Sequence, residues 1–270
     1  MLSVQSFFNL PDDPNMSFFQ KDAPVWQPLN DLKGFMDNYH YATYDDFDAP
    51  CVLRSGVPLT EHLVLHKGRS FCLNEIVITF GDATRGELKV TRNGVELEGA
   101  SVVMAGSVLV GEKISIGRGV LIESGAMIKS PTIIGDHAEI RQGAYIRGYC
   151  LLGSRCVVGH TTEVKHSIFL EDAKAGHFAY LGDSILGNNA NLGAGTKFAN
   201  LRFLQGNVKI PYLNEKLDTG RRKFGAILGD DAQTGCNSVT NPGTLMAKKT
   251  ILLPNTTAKA GFYPEKSIIR

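Results

Sequence analysis

The chain has 270 residues, 43% of them hydrophobic, and its 28 Lys and Arg oppose 27 Asp and Glu for a net charge of +1. That balance excludes a generic nucleic-acid binder, whose affinity draws on a large basic excess. No apolar run approaches the roughly 18 residues a membrane span needs, and the N-terminus lacks the basic opening and long apolar core of a signal peptide, so a cytoplasmic protein without membrane association is expected.

Residues 1–95 carry no repeat and read as a small α+β region. Leu29, Leu32, Phe35 and Met36 recur at helical spacing within 22–41, while 75–80 and 87–98 read as short strands. Asn93-Gly94, set between Leu88, Val90, Val95 and Leu97, is a two-residue hairpin turn. The aromatic set Phe7, Phe8, Phe18, Phe19, Trp26, Tyr39, Tyr41 and Tyr44 suits either a cap or a partner contact. A cap is needed because the end of a solenoid exposes unpaired strand edges.

From Val110 the chain changes character. Val110, Ile116, Ile122, Ile128, Ile134, Ile140, Ile146, Leu152, Val158 and Val164 stand at six-residue intervals, each preceded two positions earlier by a small or β-branched residue such as Ala126, Ala138, Cys150 or Thr162. A helix needs apolar residues three and four apart and a plain strand needs simple alternation, so a sustained period of six predicts an all-β fold, a parallel β-helix of hexapeptide repeats. Three hexads close one triangular coil of about 18 residues.

The repeat is interrupted between Leu170 and Leu186, with Gly176 standing where an aliphatic residue is expected. A polar stretch over 200–223 predicts a loop projecting from one corner, and Leu228 restarts the coil with Ala226, Ala232, Ser238, Thr244, Thr250 and Thr256 in the small position. The expected division is a cap or partner region over 1–95, a β-helix over 96–262 and a tail over 263–270. Solenoids place chemistry in such interruptions, which directs attention to 170–223.

The residue after each inward aliphatic points outward and recurs one coil away at about 4.8 Å. One outward column therefore reads Gly111, Lys129, Arg147, Lys165, three stacked cations whose repulsion a bound phosphate would relieve. The neighbouring column, Glu123, Arg141 and Gly159, pairs opposite charges and reads as an ordinary surface ion pair. His177 falls two hexads beyond Lys165, on a different side of the triangle. If copies pack about a three-fold axis, the column of one chain and the imidazole of the next face each other in an intersubunit site. Cys150 and Cys156 take inward small positions, and no disulfide framework or CxxC pair is present. His160, His166 and His177, spaced 6 and 11 apart, do not match the ligand pattern of the γ-class carbonic anhydrases, and no metal site is expected.

The segments Thr162-Thr-Glu-Val-Lys165, Lys174-Ala-Gly-His-Phe-Ala-Tyr-Leu-Gly-Asp183 and Gly187-Asn-Asn-Ala-Asn-Leu-Gly-Ala-Gly195 resemble the acetyltransferase half of the bifunctional glucosamine-1-phosphate acetyltransferase/N-acetylglucosamine-1-phosphate uridylyltransferase family. Ala199-Asn-Leu-Arg-Phe203 and Asp218-Thr-Gly-Arg-Arg-Lys-Phe-Gly-Ala-Ile-Leu-Gly229 are more similar to its archaeal-type sugar-1-phosphate relatives. The similarity covers about 144–237, roughly a third of the chain. It implies a left-handed parallel β-helix, a homotrimer, and acetyl-CoA as co-substrate in a crevice between subunits. It further implies that His177 is the catalytic base, that Arg147, Lys165, Tyr180, Asn191 and Asn200 contact the substrate, and that Ala194, Lys209 and Cys236 contact the cofactor. The expected reaction is N-acetylation of glucosamine 1-phosphate or galactosamine 1-phosphate in nucleotide-sugar biosynthesis, on the route to UDP-N-acetylglucosamine. A free amine attacks a thioester only after losing its proton, and an imidazole, which ordinarily titrates near 6.5, suits that task.

Nothing in 1–95 resembles the family's nucleotidyltransferase domain, so no nucleotidyltransferase activity is expected. The loop after Asn200 reads Leu-Arg-Phe where the bacterial pattern has Tyr-Asp-Gly, and its lysine is represented by Lys209. The competing reading is a non-catalytic β-helix scaffold or regulator that binds a sugar phosphate or nucleotide sugar.

Overall fold

The computed structural model describes residues 2–41, 46–48, 55–71 and 75–270; Tyr44 of the aromatic set lies outside them. From Ser101 onward the chain winds through stacked coils, each contributing one short strand to each of three parallel sheets. The first face runs from Ser101–Val103 through Val157–His160 and Lys174–His177 to Ile268–Ile269; the second carries Met127–Lys129, Tyr145–Ile146, Glu163–Lys165, Tyr180–Gly182 and Lys197–Phe198; the third carries Thr132–Ile134, Cys150–Leu152, Ser167–Phe169 and Ile185–Leu186. Ile268 pairs with Ile251, so the last coil extends into the eight residues expected as a tail.

The interior is the predicted one from Ile116 to Val164, whereas at the lower end Leu109 rather than Val110 packs on the core. Ile122, Ile128, Ile134, Ile140, Ile146, Leu152, Val158 and Val164 fill it together with Ala126, Ala138, Ala144, Cys150 and Cys156. Burial pushes the Cys150 thiol up to about 12 and the Cys156 thiol higher still, so both behave as small apolar residues.

Beyond Val164 the predicted phase is wrong by one residue. Cys150 pairs with Ser167 and Val157 with Lys174, a step of 17 where the preceding coils step by 18. Phe169 rather than Leu170 enters the interior, and Ala175 rather than Gly176 stacks on Val158. The interruption is thus two shortened hexads, Val164 to Phe169 and Leu181 to Leu186, each five residues long. At the lower end Lys129 pairs with Val110, not Gly111.

The N-terminal region covers two parts of the solenoid. Strand Leu63–His66 runs antiparallel to Ser101–Val103 and pairs the open edge of the first face. A three-stranded antiparallel sheet, Ile76–Thr79, Lys89–Arg92 and Val95–Glu96, turns at Asn93-Gly94 as predicted and packs on the first face through Val90, Ala83 and Leu121.

Residues 2–41 lie instead against the outside of the third face. They include helices α1 (Val4–Phe7) and α2 (Gln27–Asn38), the second with Pro28 in the first turn, where a missing N–H costs nothing. Leu29, Leu32 and Met36 are buried with Phe7, Phe8 and Trp26 against Ile133, Leu151, Ile168, Ile185, Ile227 and Leu245, the outward residues of successive third-face strands. Complete burial of side chains of this size contributes about 1.5–3 kcal/mol each.

The stretch 200–223 stretches the coil step to 42 residues, from Ile185 to Ile227. It holds the antiparallel hairpin Lys209–Tyr212/Glu215–Asp218, whose Val208 and Ile210 join the same outer cluster. Among the described residues no helix is long and apolar enough to cross a membrane.

Candidate functional site

The outward positions of the second face form two rows. Tyr145, Glu163, Tyr180 and Lys197 stand in register in one, and Lys129, Arg147 and Lys165 in the other, ending at Gly182. The cation column therefore exists, but it is not the bare column expected. Arg147 Nη1 lies 2.7 Å from Glu163 Oε1, a pairing that holds the guanidinium firmly protonated, and Lys165 Nζ lies 3.6 Å from Asp183 Oδ2. Lys129 Nζ sits over the Tyr145 ring, 5.3 Å from its centroid. Neighbouring carboxylates and a ring thus offset the stacked charges. Arg147–Glu163 is half-exposed and worth little to stability.

Asp183 organises the edge between the second and third faces. It is 4% exposed and occupies the left-handed region at φ +51, a conformation that Asp tolerates at a corner. Asn200 Nδ2 donates to its Oδ2 at 2.7 Å, and Arg221 Nη2 lies 2.9 Å from its Oδ1. Tyr180 Oη donates in turn to Asn200 Oδ1 at 3.3 Å. Burial raises the Tyr180 phenol, which therefore stays protonated and keeps a hydrogen to donate. Gly182 makes this meeting possible: a Cβ there would stand 2.3 Å from Asn200 Nδ2 and 2.9 Å from Tyr180 Oη.

The opposite edge, between the first and second faces, carries the imidazoles. His160 and His177 are register partners, both exposed, with rings stacked at 6.1 Å between centroids and 27° between planes. Ala194 and Cys236 lie at the same edge on later coils, where Asn237 N donates to the Ala194 carbonyl. The Gly193 N–H donates to Thr234 and the Gly195 N–H to the His177 carbonyl, whereas the Ala194 N–H makes no hydrogen bond among the described residues.

The predicted site residues thus separate into groups. Lys165, Tyr180 and Asn200 meet through Asp183, and Arg147 stands in the row beside them. His177, Ala194 and Cys236 share the other edge, and Asn191 is exposed on the first face between Lys174 and Gln233. Lys209 is exposed on the inserted hairpin, and its neighbours Val208 and Ile210 approach Gly243 at the far edge from Ala194. His166 does not join His160 and His177; its Nε2 contacts the Leu29 carbonyl at 3.0 Å, which separates the three imidazoles of the metal reading.

Two features escaped sequence reasoning. Arg221 sits inside the loop motif Asp218-Thr-Gly-Arg-Arg, but nothing in its spacing announced Asp183 as its partner. A groove of about 700 Å³ opens between the first face and the small N-terminal sheet, with Phe80, Glu123, Glu139, Arg141 and His160 on its walls. Glu139, 5% exposed, accepts from the Ala83 N–H at 2.9 Å and pairs with Arg141 at 2.8 Å, so the pair expected for Arg141 forms with Glu139.

A family described as the GMPPB C-terminal domain matches residues 128–268. A bifunctional sugar-1-phosphate nucleotidylyltransferase/acetyltransferase of Sulfurisphaera tokodaii is 42% identical over 83 residues, 31% of this chain and 21% of that protein. A bifunctional protein GlmU of Methanococcus aeolicus is 36% identical over 115 residues, 40% of this chain and 28% of that protein. The match therefore spans well under a third of the length of these relatives. A mutant of perosamine N-acetyltransferase from Caulobacter crescentus, solved in complex with CoA and GDP-perosamine, aligns at a TM-score of 0.35 with 26% identity, over 36% of this chain and 47% of that one.

Proposed function

The chain belongs to the family of the GMPPB C-terminal domain, and from that premise we propose that it is an acetyl-CoA-dependent N-acetyltransferase acting on a hexosamine 1-phosphate, assembled as a homotrimer. The observation that carries this reading is the convergence of Lys165, Tyr180 and Asn200 around Asp183 on the second face, one edge away from an exposed His177. Sequence similarity to a relative named as a nucleotidylyltransferase/acetyltransferase supports it.

In this reading Arg147 and Lys165 hold the 1-phosphate, with Tyr180, Asn191 and Asn200 on the sugar hydroxyls. His177 of the adjoining copy removes the proton from the amine as nitrogen attacks the thioester carbonyl. The C–N bond forms, the C–S bond breaks, and the CoA thiolate leaves with the proton that His177 took up. The Ala194 N–H, uncommitted among the described residues, is the donor for the developing oxyanion. Cys236 one coil on continues the same edge toward the rest of the cofactor, and Lys209 reaches it from another subunit.

The test is release of free thiol from acetyl-CoA with glucosamine 1-phosphate or galactosamine 1-phosphate. The wild type should turn over one of them, and His177→Ala should lose roughly 10² to 10⁴ in kcat. The scaffold reading is favoured by one observation, the internal pairing of Arg147 and Lys165 with Glu163 and Asp183. Tight binding of an amino sugar phosphate without any turnover would decide for it.

A further inference from the structure

We infer that Arg221, in the inserted loop, is a positioning residue that sets the acceptor subsite from outside by fixing Asp183, and that the N-terminal helix α2 is part of this device. The inference rests on the proposed function, because the groups being positioned are those assigned to the sugar phosphate.

Arg221 links α2, its own loop and Asp183 through four contacts. Its Nη1 donates to the Leu29 carbonyl at 2.9 Å and to Asn30 Oδ1 at 3.1 Å, both in the first turns of α2, and its Nε donates to the Lys223 carbonyl at 3.2 Å. Its Nη2 lies 2.9 Å from Asp183 Oδ1, and the arginine side chain is only 15% exposed. With its donors shared between two rigid elements, the planar guanidinium has one available pose, which fixes the Asp183 carboxylate in turn.

The other carboxylate oxygen then decides two things. It accepts from Asn200 Nδ2 at 2.7 Å, and this orients the amide, because the flipped amide would set its oxygen against a carboxylate. The Asn200 oxygen is thereby turned to Tyr180 Oη. It also attracts Lys165 Nζ, which stands off at 3.6 Å instead of in close contact, so the ammonium remains available to a phosphate. With Arg221 present Asp183 faces two cations; without it Lys165 would be its only ion-pair partner among the described residues and would be drawn in, away from the second face. A residue that touches no substrate therefore controls the charge and orientation of three that do.

The experiment measures kcat, both KM values and calorimetric binding of glucosamine 1-phosphate and galactosamine 1-phosphate for wild type, Arg221→Ala, Arg221→Lys, Asp183→Asn and the double variant Arg221→Ala/Asp183→Asn. Arg221→Ala should raise the KM and Kd of the sugar phosphate about tenfold, as loss of a charge-assisted contact does, with the KM of acetyl-CoA unchanged. Arg221→Lys should recover part of this. Because Arg221 acts through Asp183, the double variant should bind no more weakly than Asp183→Asn alone.

Equal losses for both substrates, additive losses in the double variant, or an unchanged KM in folded Arg221→Ala each overturn the inference. If the wild type binds the sugar phosphate but never acetylates it, the acetyltransferase reading fails, and the positioning inference stands on the Kd ratio alone. No binding of either sugar phosphate overturns both. Should Arg221→Ala not fold, Arg221→Lys and Asp183→Asn carry the same comparison.

Discussion

At the scale of single residues the account turns on how few atoms separate an organised acceptor subsite from a disordered one. Gly182 ends the cation row and leaves the space in which Asn200 and Tyr180 meet. It needs no unusual backbone angle, so Gly182→Ala is a purely steric change, and the nearest atom is an amide nitrogen held at 2.7 Å by a buried carboxylate. We expect this variant to fold with a melting temperature within a few degrees of wild type and to raise the KM of the amino sugar phosphate about tenfold. Steady-state kinetics beside a thermal melt check it; unaltered KM would show that Asn200 placement is irrelevant to binding. The positions of Lys129, Arg147 and Lys165 were legible in the six-residue period, but their partners were not. Glu163 neighbours Arg147 diagonally across coils and Asp183 sits at a corner, and a reading that compares residues only along one column sees neither.

At the scale of elements, α2 is the piece whose docking couples the N-terminal region to the site. Its Leu29 carbonyl accepts from both Arg221 and His166, and His166 is half-buried beneath it. Burial is the main cause that lowers the His166 pKa, with the nearby Arg221 charge acting the same way. A histidine depressed in the folded state contributes its full stability above its unfolded pKa near 6.5 and loses it as pH falls from there toward the folded value, because the unfolded chain takes up the proton more readily. Thermal melts of wild type and His166→Gln between pH 8 and pH 5 should converge on acidification, wild type losing more; parallel curves would contradict this.

The helix itself was legible from Leu29, Leu32 and Met36, yet its destination was not. The signal was present in Ile133, Leu151, Ile168, Ile185, Ile227 and Leu245, outward residues that are apolar on every third hexad and so mark the face that is covered. The phase error beyond Val164 has a simple cause as well. A hexad shortened by one residue at a corner preserves stacking, and a fixed period carried past it assigns the interior to Leu170 and Gly176 instead of Phe169 and Ala175.

At the scale of the whole molecule, the N-terminal segment and the hairpin cover the third face, and the small antiparallel sheet covers the lower first face. Among the described residues none of these packs on the cation row of the second face or on His177, whereas His160 borders the groove beneath the small sheet. Within one chain no contact joins His177 to Lys165 among the described residues, so the proposed reaction requires that one copy supply the phosphate contacts and the next supply the base. The most direct measurement mixes two variants, His177→Ala and Lys165→Ala, each inactive alone, by co-refolding or subunit exchange at equal amounts. With sites shared between neighbours, random trimers place an intact His177 opposite an intact Lys165 in about a quarter of sites, and acetyl-CoA-dependent N-acetylation should return to about that fraction of wild type. Mixed samples that exchange subunits yet remain as inactive as their parents would contradict a site built from two copies.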